Sequence, residues 1–200
     1  MGPVSRAVDH HLSKRPYMKN EPCADLGYFQ ENKDSLFFAI ADVAGHGDNA
    51  HRLSLKIKKY FKDTQKNDLV ALMKNLHGYL KGTRGAVGGA GFLYKKTGVV
   101  EYVGLGNISL RKMGKKDVRT LSNEGIIGYI IPTPRIKRLQ LSAGETLLLY
   151  TDGIKDHFHM DELPEGLLDK DAKHIAGGVM KRFYKGNDDA ACISIRYKND

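Results

Sequence analysis

Leu36-Phe37-Phe38-Ala39-Ile40-Ala41-Asp42-Val43-Ala44-Gly45-His46-Gly47 sets an unbroken apolar run against an acid and a glycine-rich turn. The run at 36–41 is too short for a helix and shows no polar alternation, which suits a strand buried on both faces. It stops at Asp42, and residues 44–47 turn the chain. A helix is expected to start near Asp48 or Asn49, both good N-caps, because Ala50, Leu53, Ile57, Tyr60 and Phe61 follow at helical spacing.

Working outward, a second helix is expected after Asp68, with Leu69, Leu72, Met73, Leu76 and Leu80 on one face and an end before Gly82. Residues 91–95, 99–105 and 108–113 read as strands of an antiparallel meander, separated by Lys-Thr-Gly and Gly-Asn turns. Residues 125–131 and 135–141 are further strand candidates. Residues 145–150 contain Thr-Leu-Leu-Leu-Tyr, another strand of the buried type, ending at Thr151-Asp152-Gly153. A third helix is expected over 172–184, weakened by Gly177 and Gly178. The last strand, 191–197, alternates Ile193, Ile195 and Tyr197 against Cys192, Ser194 and Arg196.

Composition bounds the function. A chain of 200 residues suits a single domain, 1–200. Apolar residues at 41% and charged residues at 28% exclude disordered and fibrous classes. The longest apolar run, 125–131, is far short of the about 18 residues that a membrane span needs. The polar, basic first twenty residues carry no secretory signal pattern. Cys23 and Cys192 cannot form a disulfide framework or a four-ligand zinc site, and free thiols fit a cytoplasmic protein. The net charge of +9 favours an acidic partner, whether nucleic acid, an acidic protein or a phosphorylated one. No phosphate-binding P-loop and no dinucleotide-binding glycine pattern is present.

The acids carry the chemistry. Two buried-type strands each end in an aspartate followed by a turn, at Asp42 and at Asp152, and the last strand starts just after Asp188-Asp189. An antiparallel strand starts at the edge where its partners end. Asp42, Asp152 and one of Asp188 or Asp189 are therefore expected to converge at one rim of the sheet. Three converging carboxylates repel one another unless protonated or neutralised, and a hard divalent cation neutralises them through oxygen ligands. The competing reading makes each Asp a cap of a helix or turn.

Residues 41–47 resemble the Asp-Val-x-Gly-His-Gly signature of the bacterial metal-dependent phosphatases related to protein phosphatase 2C, the SpoIIE-like family. Tyr150-Thr151-Asp152-Gly153 is similar to that family's Thr-Asp-Gly motif, Asp188-Asp189-Ala190-Ala191 to its Asp-Asp-x-Thr segment, and Ala24-Asp25 to its Gly-Asp segment. The ordered set extends from about residue 20 to residue 197. The short length leaves no room for a sensor domain and is most like the stand-alone feedback phosphatase of the bacterial stressosome, the RsbX type. Residues 82–86 and 104–107 are similar to that branch.

The resemblance implies an α+β fold, a four-layer αββα sandwich of two antiparallel sheets flanked by helices. It implies two Mn²⁺ or Mg²⁺ ions. Asp42 would bridge them, the Val43 carbonyl would bind one, Asp152 and Asp188 would hold the other, and Asp25 would act in the outer shell. It selects Asp188 over Asp189 as the ligand. The implied reaction is hydrolysis of phosphoserine or phosphothreonine by activated water without a covalent intermediate, on phosphorylated stressosome scaffold proteins with STAS domains. The enzyme is expected to be a cytoplasmic monomer that binds neither membrane nor nucleic acid. His46 is the candidate proton donor to the leaving hydroxyl, against a plain role in the turn.

Three departures stand out. Ala191 replaces the usual Thr, Ala24 replaces the usual Gly, and the phosphate-binding Arg of eukaryotic relatives has no clear equivalent beyond Lys14 or Arg15. The rival readings are a catalytically dead phosphatase-fold scaffold and a basic nucleic-acid-binding module. The second leaves the acidic motifs without a purpose.

Overall fold

In the computed structural model, which describes residues 7–198, the chain runs β1 (Val8–Arg15), β2 (Leu26–Glu31), β3 (Ser35–Val43), α1 (Gly47–Asp63), α2 (Leu69–Tyr79), β4 (Ala86–Tyr94), β5 (Val99–Leu105), β6 (Ser109–Met113), β7 (Val118–Leu121), β8 (Lys137–Gln140), β9 (Thr146–Tyr150), α3 (Ala172–Phe183) and β10 (Ala190–Tyr197). The apolar run at 36–41 lies within β3, and both faces of that strand are covered. Phe37, Ala39, Ala41 and Val43 pack toward α1 and α2, while Leu36, Phe38 and Ile40 pack against a second sheet. Strand alternation forces this split, since successive side chains point to opposite faces.

Two five-stranded antiparallel sheets result, in the orders β2-β3-β4-β5-β8 and β1-β10-β9-β6-β7. One core lies between the first sheet and α1 and α2, a second between the sheets, and a third between the second sheet and α3. The four layers are therefore helix, sheet, sheet, helix, as the resemblance implied. Between the sheets the Tyr102 ring is fully buried. Gly89 and Gly104 face each other across β4 and β5, and a Cβ on either would come within 2.5 Å of the Tyr102 hydroxyl, so both must lack one.

Several elements differ from their sequence reading. The meander breaks after β5. Gly106, at φ +86°, and Asn107 carry the chain across to the other sheet, where β6 pairs with β9 and β7. Residues 125–131 form a turn tied by isolated bridges, Ala86 to Ile127 and Ile126 to Ile130, instead of a strand. Gly125 and Gly128 both take positive φ there, which extended chain does not accommodate. Helix α1 starts at Gly47, ahead of Asp48, because Gly45 and Gly47 at φ +86° and +77° complete the reversal first. Helix α2 follows Asp68 as expected, and the Asp68 side chain caps it, accepting from the Val70 and Ala71 amides. In β10 the side expected to be polar is buried too, since Cys192 packs under α3.

Candidate active site

The alternation that splits β3 also aims its acid. Asp42 follows Leu36, Phe38 and Ile40 on the inter-sheet face, one residue before the strand ends. In the facing sheet β9 and β10 are antiparallel neighbours with Tyr150 opposite Cys192, so the residues after β9 lie beside those before β10. Asp42, Asp152 and Asp188 thus line one cleft of about 450 Å³, together with His46, Asn107 and Ile126. The expected convergence at one rim of a single sheet is corrected: the acids meet across the mouth between two sheets. Gly153 makes this approach possible, because a Cβ there would lie 2.0 Å from the Asp189 carbonyl oxygen.

Burial and mutual repulsion raise the carboxyl pKa values. Asp42 is pushed up to about 7, first by burial and then by the charges of Asp152 and Asp188. Asp152 is raised by burial and by Asp188, against the opposing pull of Lys185 and of an Asn107 amide that donates to its Oδ2 at 2.8 Å. Asp25 is buried behind Asp42 and held well above the usual carboxylate range, first by burial and then by Asp42, to which it donates a hydrogen bond. The Thr151 hydroxyl donates to Asp25 Oδ2 at 2.6 Å and accepts the Ala191 amide at 2.9 Å. One threonine therefore ties Asp25, the turn before Asp152 and the start of β10 together. Sequence reading gave Thr151 and Asn107 no role of their own, although both lie in stretches it singled out. The methyl of Ala191, where a Thr is usual, is buried in the core between the sheets.

Asp188 and Asp189 part ways. Asp188 is exposed and lines the cleft, and its Oδ1 accepts the Asp189 amide at 2.8 Å. Asp189 is buried and turned the other way. Its two oxygens accept the backbone amides of Tyr17 and Ala24, each at 2.7 Å, pinning the segment between β1 and β2. Val43 places its side chain in the core beneath α1 and α2. His46 is exposed at the cleft, with Nδ1 3.1 Å from Glu21 Oε2 and its ring edge-on to Tyr17.

The other candidates lie elsewhere. Lys14 donates to the Cys23 carbonyl, and Arg15 lies 4.3 Å over the Tyr184 ring. Arg84, which sequence reading left without a role, donates to the Ala44 carbonyl at 2.9 Å beside the cleft. Away from the cleft, in the loop after the Thr151-Asp152-Gly153 turn, Asp156 is paired with Arg119 and accepts from Ser109, while His157 is exposed. Among the described residues no three His, Cys, Asp or Glu side chains close around a point as a metal cage. The cleft donors are open carboxylates, which suits Mg²⁺ or Mn²⁺, since such ions use one or two carboxylates and keep several waters. No thiolate competes: Cys23 and Cys192 are buried, and burial pushes both thiols up to about 12.

Comparison with known proteins agrees with this fold. The sequence model of the stage II sporulation protein E (SpoIIE) family matches residues 32–198. A chain solved in work on the bacterial stressosome, as a modular system adapted to control secondary messenger signalling, superposes with TM-score 0.84 at 23% identity, covering 96% of this chain and 100% of that one. RsbX in complex with magnesium superposes at 0.82 with 16% identity, covering 96% of each chain. The phosphatase domain of SpoIIE from Bacillus subtilis, with a fragment of its regulatory domain, superposes at 0.76 with 19% identity, covering 96% of this chain and 62% of that one. No curated protein sequence matches. Among the described residues no helix is long and apolar enough to cross a membrane.

Proposed function

The chain belongs to the SpoIIE family of protein phosphatases, and from that premise we propose that it removes phosphate from phosphoserine or phosphothreonine of stressosome scaffold proteins with STAS domains. The observation that carries the reading is the meeting of Asp42, Asp152 and Asp188 in one open cleft.

In this reading Asp42, Asp152 and Asp188, with the Val43 carbonyl, hold two Mn²⁺ or Mg²⁺ ions, and Asp25 acts from behind. The donor set fits: all three side chains are hard oxygen donors, and their mutual repulsion adds to burial in lifting Asp42 to about 7. Bound there, the ions supply Lewis-acid charge and an acidified water. The chain's own residues do the rest. Asn107 orients Asp152 through its amide, and Thr151 fixes Asp25 against the turn. Water adds to phosphorus as the serine oxygen leaves, giving inorganic phosphate and the free hydroxyl. That oxygen must gain a proton. His46 borders the cleft, and because its Nδ1 is engaged by Glu21, Nε2 is the atom that would give it. RsbX and the stressosome-derived chain are the neighbours that favour stressosome partners. The net charge of +9 supports encounter with acidic phosphoproteins, and we place the enzyme in the cytoplasm as a monomer.

The test is phosphate release from kinase-phosphorylated STAS proteins incubated with the chain and Mn²⁺. Release that stops when Asp42 is replaced by Asn supports the reading. Stable phosphoprotein beside active hydrolysis of an aryl phosphate would refute the substrate assignment alone.

A further inference from the structure

Ile126, Tyr129 and Ile130 are large apolar side chains left 44%, 62% and 74% exposed on one turn. The exposure does not come from slack chain. Ile126 and Ile130 are bridged, with amide-to-carbonyl bonds in both directions at 2.8 and 3.1 Å. Ile127 is fully buried and exchanges amide-to-carbonyl bonds with Ala86 at the start of β4. The Gly128 amide donates to His77 Nδ1 of α2 at 3.1 Å. The Tyr129 ring lies over Gly85, where a Cβ would come within 2.8 Å of it. The turn is thus braced from three sides, with its apolar tip held outward.

Its position gives it a purpose. Ile126 belongs to the wall of the cleft that holds Asp42, Asp152 and Asp188. A phosphorylated side chain that reaches those acids brings its own backbone across the cleft mouth, where Ile126 forms part of the wall and holds Ile130 beside it through their bridge. Apolar groups fixed beside a site that draws charged phosphate gain most by covering apolar residues of the same substrate.

We infer that the 126–130 turn is a substrate-docking rim, which selects phosphoproteins carrying apolar residues next to the phosphorylated serine or threonine. This rests on the phosphatase reading of the cleft and adds a preference to it. Ile130, the most exposed of the three and outside the cleft wall, is the residue that should dominate the preference.

The experiment uses two synthetic phosphoserine peptides that are identical except for Leu or Ser at the two positions flanking the phosphoserine. Phosphate release is followed with Mn²⁺, and p-nitrophenyl phosphate is run in parallel. The wild type should favour the Leu peptide about tenfold in kcat/KM, corresponding to about 1.4 kcal/mol. In Ile130→Ser that ratio should fall to about one. Because Ile130 is largely exposed, the variant should fold, and circular dichroism checks this. Tyr129→Ser, read in the same way, should also lower the ratio. A wild-type ratio near one with p-nitrophenyl phosphate hydrolysed, or a ratio unchanged in Ile130→Ser, overturns the docking rim and leaves the phosphatase reading standing. Absence of hydrolysis of all three substrates overturns both.

Discussion

Adjacent aspartates with opposite duties give a sharp test. Replace Asp189 by Asn, and separately Asp188. The Asp189 carboxylate accepts two backbone amides at 2.7 Å in a buried setting. Asn offers one oxygen, so one amide loses its acceptor and faces an NH₂ group instead. A hydrogen bond to a charged group is worth about 1.5–3 kcal/mol, and a buried donor left without a partner costs about 1–3 kcal/mol. Asp189→Asn should therefore cost about 2–4 kcal/mol, or about 5–15 °C in Tm for a chain of this size. Well below that Tm it should still bind Mn²⁺ and turn over, because this carboxylate faces the 17–24 segment. Asp188→Asn should do the reverse. Its side chain is exposed, and its oxygen can still accept the Asp189 amide, so Tm should move by less than about 1 kcal/mol's worth. Mn²⁺ binding should weaken and turnover nearly vanish. Thermal melts by circular dichroism, titration calorimetry with Mn²⁺ and aryl phosphate hydrolysis at about 20 °C read the three quantities. Loss of metal binding in Asp189→Asn with retention in Asp188→Asn would refute the assignment and shift the motif by one residue.

Two further outcomes are expected. With its carboxyl at about 7 in the fold against an ordinary 3.8, Asp42 keeps a proton between about pH 4 and 7 that the unfolded chain has released. The metal-free fold must then lose stability as pH rises through that window. In chelator near pH 8, Asp42→Asn should be more stable than wild type by about 2–4 kcal/mol, a gain that should vanish near pH 4; a variant less stable near pH 8 would contradict this. Gly153→Ala, whose Cβ would meet the Asp189 carbonyl oxygen at 2.0 Å, should lower both Tm and turnover, because the clash pushes Asp152 away from Asp188. Unchanged melting and activity would refute the close approach.

The sequence pattern was most legible where burial is complete. Strands β3, β5, β9 and β10 are inner strands with apolar residues on both faces, and each was readable within one or two residues. Three of the four edge strands, β1, β2 and β7, were not. Val8-Asp9-His10-His11-Leu12-Ser13-Lys14-Arg15 has one half-covered face and mixes apolar with charged residues, so neither periodicity stands out. Residues 125–131 failed for the opposite reason: their apolar character imitates a buried strand, but much of it faces outward on a turn. The point where the chain crosses between the two sheets was illegible because the hop at Gly106-Asn107 looks like any hairpin turn. For the site, the acid motifs pointed to Asp42, Asp152 and Asp188 as a group, and the structure lines one cleft with them. What Thr151, Asn107 and Arg84 touch depends on partners 40 or more residues away, beyond the reach of local pattern.

The central claim is metal-dependent phosphate hydrolysis at the carboxylate cleft. Its most direct measurement is the rate of p-nitrophenyl phosphate hydrolysis by the chelator-stripped chain as Mn²⁺ is added, with Asp42→Asn and Asp152→Asn alongside. The account predicts no turnover in EDTA, recovery with Mn²⁺, and at least a tenfold deficit in both variants, more than about 1.4 kcal/mol of barrier. Undiminished turnover in excess chelator, or wild-type rates in either variant, would contradict it.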